Sequence, residues 1–412
     1  MRRTKRRFPL ATLLAAMLGL TLLLAACGGE DEDLEAAPDE TEEPEEAPSE
    51  DADTEEDAPD DEAPTDQPDK WVIGWINPLS GAAATFGELS RNAAEMKVEE
   101  INAAGGINGI PLEVVFEDNE LSPEASIVAA ERLIGQGVNV ILSAGSSVIF
   151  ALDPIGQQND VLIANHAAQS PQLLPPGTSN TYNFIPTSAS ETERLAELVD
   201  QELGLSNVAI IEVDNDYGQD TADAFVETFE ALGGNIVARE IHDVGASDMR
   251  TQLIQIANAD PEAVVFVSNI TEVGHAVDQA REVGIDAQFL GLTFSLSPDN
   301  FEIAGDAMEG MRGVAITFNP DESSLARDFT DEYEERFGGA PTIYAATTYD
   351  AIGILAQAIE ETGTDDASVL AEYLVGLSGY QGVLGPTSMD DTRTVEIPLF
   401  EWVIEGGEAQ PW

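Results

Sequence analysis

One cysteine, Cys27, occurs in 412 residues, so no internal disulfide framework can form. Consumption of that thiol in processing would leave the folded part without a cysteine metal site as well. Lysine is almost as scarce, with Lys5, Lys70 and Lys97 alone, and the 17 basic residues face 78 acidic ones for a formal net charge of −61. That balance excludes nucleic acid as a partner, because phosphates need Lys and Arg, and it excludes direct adhesion to an anionic bilayer. The histidines are His166, His242 and His275, with no i, i+4 pairing, and each reads as a surface or supporting residue rather than a metal ligand. No phosphate-binding GxxxxGK[ST], no GxSxG elbow and no GxGxxG after a strand is present. With so many carboxylates, chance proximity hides any acid/base pair, and neither an enzyme nor a bound cofactor is expected.

Long apolar runs are missing beyond the N-terminus, so the body holds no membrane span. The one such run, Phe8–Ala26, carries no charge and follows Arg2, Arg3, Lys5, Arg6 and Arg7, which is the layout of a secretory signal. An uncleaved anchor has similar length. Small residues before a lone cysteine fit cleavage and acylation better, because the thiol accepts lipid and a plain anchor needs none. Residues 1–26 are therefore expected to be a lipoprotein signal and 27–69 a lipidated Cys27 followed by a linker.

From Glu30 to Asp69 there are 22 acidic residues and no basic one, in a background of Pro, Ala, Thr and Ser. Such a stretch cannot bury enough apolar surface to offset its ordering entropy, and its charges repel. An extended spacer is expected. Residues 70–412 keep 56 acidic against 12 basic side chains, net −44, a surface that repels itself unless salt shortens the screening length, to about 3 Å at 1 M. A high-salt habitat follows as an expectation.

The body from Trp71 onward suits two lobes. Short Val- and Ile-rich runs alternate with helical spacing: Trp71–Ile76 then Leu89–Ala103, Leu112–Phe116 then Pro123–Gly135, Val138–Ser143 then Val148–Asn159, and Val208–Val213 then Thr221–Leu232. Continuous hydrophobicity marks strands covered on both faces, as in a parallel sheet. A second series continues through Asn235–Ile241, Met249–Asn258, Ala263–Ser268, Glu272–Val283 and Phe289–Leu292. Ser190 and Glu193 read as a capping box opening Arg194–Leu203. The fold class is α/β, two doubly wound Rossmann-like lobes, with a ligand crevice at the carboxyl ends of the strands.

The polar residues just past those ends are the candidates. Ser146 and Ser147 follow Val138–Ser143, where a helix start can take an anion or simply be capped. Ala167, Ala168 and Gln169 follow Val161–Ala164, where a plain loop is the alternative. Tyr217 follows Val208–Val213 in a possible turn, and Glu272 follows Ala263–Ser268, where the helix dipole alone would favour an acid.

The runs Trp75-Ile76-Asn77-Pro78-Leu79-Ser80-Gly81, Phe86-Gly87, Glu99 through Gly109 (EEINAAGGING), Asp216-Tyr217-Gly218, Ala280-Arg281-Glu282-Val283-Gly284, Tyr344-Ala345-Ala346 and Tyr349-Asp350-Ala351 resemble the leucine/isoleucine/valine-binding protein family, the solute receptors of branched-chain amino acid ABC importers. The resemblance spans Trp71 to Trp402. It implies a type I periplasmic-binding fold with a three-strand hinge, lobe 1 at 70–187 and 293–380, lobe 2 at 188–292 and 381–412, and crossings near Pro186–Ser188, Thr293–Ser295 and Tyr380–Gly382. It also implies that Ser146 or Ser147, with Ala167, Ala168 and Gln169, receives an amino acid's carboxylate and ammonium, that Glu272 pairs with the ammonium, and that Phe86 and Tyr217 are aromatic walls. The implied protein is a monomer serving an ABC permease. Gln169 stands where the family often has Thr, His166 where Pro or Ser is usual, and Ser268-Asn269-Ile270 where Gly and Tyr are common. The remaining readings are a sensory module of the same fold, an exported hydrolase, for which no nucleophile is found, and a receptor for urea, short amides or aromatic acids.

Overall fold

The structure, a computed structural model, describes residues 68–173, 180–321 and 323–412. The expected signal, Cys27 and nearly all of the acidic linker lie outside the described residues. No helix among the described residues is long and apolar enough to cross a membrane, and no His/Cys/Asp/Glu group there could hold a metal ion.

The first lobe opens with β1 (Trp71–Asn77), α1 (Ala84–Ala103), β2 (Leu112–Asp118), α2 (Pro123–Ile134), β3 (Val140–Ser143), α3 (Ser146–Asn159), β4 (Leu162–Asn165) and β5 (Thr181–Asn183). Its five strands are parallel in the order β2-β1-β3-β4-β5. Alternate residues take opposite faces: Val140 and Leu142 join Trp71, Ile73 and Trp75 in one core, and Ile141 joins Ile76, Leu133 of α2 and Leu152 of α3 in the other. That two-sided burial is why the strands read as unbroken apolar runs.

The second lobe contains α4 (Ser188–Leu198), β6 (Asn207–Val213), α5 (Asp216–Ala231), β7 (Asn235–His242), α6 (Arg250–Asn258), β8 (Ala263–Val267), α7 (Ile270–Glu282), β9 (Gln288–Gly291), α8 (Pro298–Ala304) and β10 (Arg312–Ile316). The chain returns to the first lobe with α9 (Ser324–Phe337), α10 (Ile343–Thr362), α11 (Ala367–Val375) and the hairpin β11 (Tyr380–Gly382) and β12 (Gly385–Thr387). It ends in the second with β13 (Leu399–Glu405) and β14 (Glu408–Pro411). The second sheet runs β14-β13-β10-β9-β8-β6-β7, parallel except for the antiparallel β13 and β14.

Two expected crossings move. The second lies between Ile316 and Ser324 rather than at Thr293–Ser295, because β10 pairs with both β9 and β13. The third lies between Thr387 and Leu399 rather than at Tyr380–Gly382, because the β11–β12 turn is held by α10. Residues 293–316 therefore belong to the second lobe and 381–387 to the first. The expected capping box at Ser190 is also absent: α4 starts at Ser188 with Thr187 as N-cap, so Ser190 lies within the first turn and donates to Thr187 O.

The EINAAGGING run holds the last residues of α1 and the turn that leads to β2. Ile107 and Ile110 exchange backbone bonds, and Gly106, at φ 76°, sits where a Cβ would come within 2.3 Å of the Ile110 carbonyl oxygen. Only glycine fits there.

Candidate functional site

In both sheets the strand order reverses beside the first strand of the lobe, and the crevice outside the carboxyl ends is where such folds bind ligands. The expected residues all follow those ends. Ser146 and Ser147 open α3, the loop after β4 carries Ala167, Ala168 and Gln169, Tyr217 opens α5 and Glu272 sits in the first turn of α7.

An aromatic array spans the crevice. Phe86 at the start of α1 stacks on His166 at 6.1 Å and meets Tyr344 of α10 edge-on at 5.4 Å. Tyr344 stacks on Phe294 at 5.6 Å, and Phe294 meets Tyr217 edge-on at 4.9 Å. Phe86 and Tyr344 come from the first lobe, Phe294 and Tyr217 from the second. Gly87 lets α1 start this close: a Cβ there would fall 1.5 Å from the Pro78 carbonyl oxygen.

Beneath the array runs a buried polar chain. The Tyr344 hydroxyl donates to Gln169 Oε1 at 3.4 Å, and Gln169 Nε2 donates to Glu191 Oε1 at 2.8 Å. Glu191 Oε2 accepts from the backbone N–H of Thr293 at 2.9 Å and its hydroxyl at 2.8 Å, and Thr293 Oγ1 accepts from the Ile316 N–H at 2.8 Å. Burial pushes the Glu191 carboxyl up to about 7, against the opposing pull of its donors. Burial also holds the Tyr217 and Tyr344 phenols well above their ordinary value, with the Glu191 charge adding to both.

His166 is buried and neutral, its imidazole lowered to about 3 by desolvation. Thr348 Oγ1 donates to Tyr344 O at 2.7 Å, so at the 2.9 Å contact His166 Nδ1 is the donor. Nε2 is then an acceptor, 3.1 Å from the Asn77 amide, whose Nδ2 is buried without a partner. Turning that amide so that its nitrogen faces Nε2 satisfies both groups.

The expected residues divide. Phe86 lines a cavity of about 1120 Å³ between the lobes with Ile270, Thr293, Phe294 and Tyr344; Ser146, Ser147, Ala167, Ala168, Gln169, Tyr217 and Glu272 are not in that lining. Ser146 Oγ accepts from the Ser170 N–H at 3.1 Å. Asn165 Oδ1 accepts from the N–H groups of Ala167 and Ala168 at 3.1 and 2.7 Å, which fixes their loop. Glu272 is buried, with Oε2 accepting from the Asn269 N–H at 2.9 Å and Oε1 from the Gly245 N–H. It closes the capping box of α7 and pins the loop after β7, and a carboxylate has lone pairs left over after two such bonds.

Glu191, Thr293, Phe294 and Tyr344 were not singled out by the sequence as site residues. Glu191 had one usable signal: it stands at i, i+4 and i+7 spacing with the buried Leu195 and Leu198 of α4, and a glutamate on an apolar stripe is unusual.

The chain matches the model described as periplasmic binding protein over residues 70–399. The chain belongs to the periplasmic binding protein family. Within it, the leucine-, isoleucine-, valine-, threonine-, and alanine-binding protein of Pseudomonas aeruginosa is 26% identical over 337 residues, covering 80% of this chain and 89% of that one. Of solved structures, the leucine binding protein LivK of Thermotoga maritima matches at TM-score 0.77 and 23% identity over 83% of this chain and 97% of its own. LivJ of Streptococcus pneumoniae in complex with isoleucine matches at 0.75 and 24% over 83% and 98%. The expected type I fold with two doubly wound lobes is the one these share.

Proposed function

We propose that this chain is an extracytoplasmic receptor of an ABC importer that captures an amino acid or related small polar solute between its lobes and performs no reaction. The carrying observation is the aromatic array that joins both lobes across the crevice beside an interlobe cavity. Family membership supports the reading, and the Pseudomonas relative's named ligands support an aliphatic amino acid as first candidate.

In this reading Ser147 and the amides opening α3 take the solute carboxylate, and Glu272 uses its free lone pairs for the ammonium, with Phe86 and Tyr217 as walls. Cys27 carries the lipid that holds the exported monomer at the membrane, and the acidic spacer lets the body reach a permease. A sensory partner for the same fold is the alternative that a neighbouring permease gene would discount.

A thermal-shift screen of amino acids, short amides, urea and aromatic acids in high salt tests the reading, because a ligand of the native state alone raises apparent stability. At least one should raise it; no shift from any overturns the ligand class. With the bound amino acid, Glu272→Ala should weaken binding at least about tenfold by leaving an ammonium unpaired, whereas the exposed Glu88→Ala should leave it unchanged. Equal affinities in calorimetry would misplace the site.

A further inference from the structure

We propose that Glu191, behind the aromatic wall of the interlobe cavity, makes this cavity select solutes that present a cationic group attached to an apolar body. The inference rests on the receptor reading and refines its ligand.

Glu191 is fully buried, and the partners of its carboxylate, Gln169 and Thr293, are both neutral. Among the described residues no Lys or Arg lies within ion-pair reach of it, although at least nine of the twelve cations in 70–412 form ion pairs elsewhere. Every hydrogen bond it makes is accepted from a donor, the arrangement that suits an ionised carboxylate. A buried charge without a counter-ion is costly, so a cation supplied from outside would be bound strongly.

The cavity comes within one residue of the carboxylate, which itself lies outside the lining. Thr293, which holds Oε2, lines it, and so does Tyr344, whose hydroxyl reaches Glu191 through Gln169. Among the described residues Asp299 is the one charged side chain in the lining, and none of them there is Lys, Arg or His. An anionic solute would meet carboxylates and no positive side chain, while most of the wall is apolar.

Three probes with one aromatic body separate the charge states: phenethylamine, phenylacetamide and phenylacetate. Calorimetry near pH 8.5 keeps the amine protonated and Glu191 ionised, and salt of about 1 M shortens the screening length to about 3 Å, which removes the field of the acidic surface. The intact protein should bind phenethylamine at least about tenfold tighter than phenylacetamide, the size of one modestly screened charge contact, and phenylacetate more weakly still. Glu191→Gln, which keeps shape and an acceptor, should bring the first two within about twofold, and Glu88→Gln should leave the preference intact. Equal binding of all three by the intact protein, a preference for phenylacetate, or a folded Glu191→Gln that keeps the full preference overturns the inference. Should that variant not fold, the intact protein's order of affinities decides. Binding of L-leucine without any of the probes overturns this inference and leaves the receptor reading standing; no binding of any compound removes both.

Discussion

Asp350 Oδ1 accepts the Val383 backbone N–H at 2.9 Å while Oδ2 accepts that of Leu384 at 3.0 Å, so one buried side chain of α10 holds the β11–β12 turn that forms part of the cavity wall. Gly382 makes the approach possible, since a Cβ there would lie 2.2 Å from Oδ2. Asp350→Ala leaves both amides without an acceptor and should cost about 2–4 kcal/mol, at roughly 1–3 kcal/mol per orphaned group. Urea unfolding of the variant measures it, and a loss under about 1 kcal/mol would mean that water replaces the carboxylate.

Stability should fall with rising pH through two of these carboxyls. Burial raises Asp350 from its ordinary 3.8 to about 6 and Glu191 from 4.5 to about 7. In each window the folded protein holds a proton that the unfolded chain has lost, so the contribution is complete below the ordinary value and lost as pH rises through the raised one. Melting curves from pH 4 to 8 should show shallower slopes for Asp350→Asn and Glu191→Gln than for the parent. Parallel slopes would contradict the assignment.

Ser170 Oγ, on the loop after β4, donates to Asp220 of α5, and Ser188 Oγ at the start of α4 donates to the Gln169 carbonyl oxygen at 2.9 Å. These bonds tie the lobes on the side of the crevice next to α5. Asp220→Ala should leave global stability within about 1 kcal/mol, the usual value of one partly exposed hydrogen bond, but raise the radius of gyration of the unliganded protein in solution scattering. An unchanged radius would show that the latch does not hold the lobes.

At least nine of the twelve cations in 70–412 are in ion pairs, and Arg281, Arg312 and Arg393 lie over the rings of Phe289, Trp412 and Tyr182. Most carboxylates therefore have no cationic partner among the described residues. The melting temperature should climb between 0.1 and 2 M KCl as the screening length shrinks from about 10 Å to under 3 Å. A flat or falling curve would remove the high-salt expectation.

Both doubly wound lobes could be read from the sequence because their strands are buried on two faces: Val140, Ile141 and Leu142 are all fully covered, and such runs differ from amphipathic helices at a glance. Past Leu292 the apolar pattern marks no elements. There α10 is buried on nearly every side, so its apolar residues show no stripe, and β11–β12 are three residues each. The crossings were misplaced for the same reason, since the pairing of β10 with β13 depends on a strand 83 residues later.

Of the eight residues expected to hold the solute, Phe86 lines the cavity and the seven placed past strand ends do not. Glu191 was hidden by composition, one acid among 78. Its partner Thr293 lies 102 residues away, so their meeting depends on packing that local spacing does not encode. Glu272 shows the converse: its place in the first turn of α7 announced a cap, and the structure shows that cap.

Solution scattering with and without saturating solute from the thermal screen tests the central claim most directly, because a receptor of this build closes its lobes about the crossings at 184–187, 317–323 and 388–398. The radius of gyration should fall on binding one solute per chain. A solute that binds tightly and leaves the radius unchanged would contradict capture between the lobes.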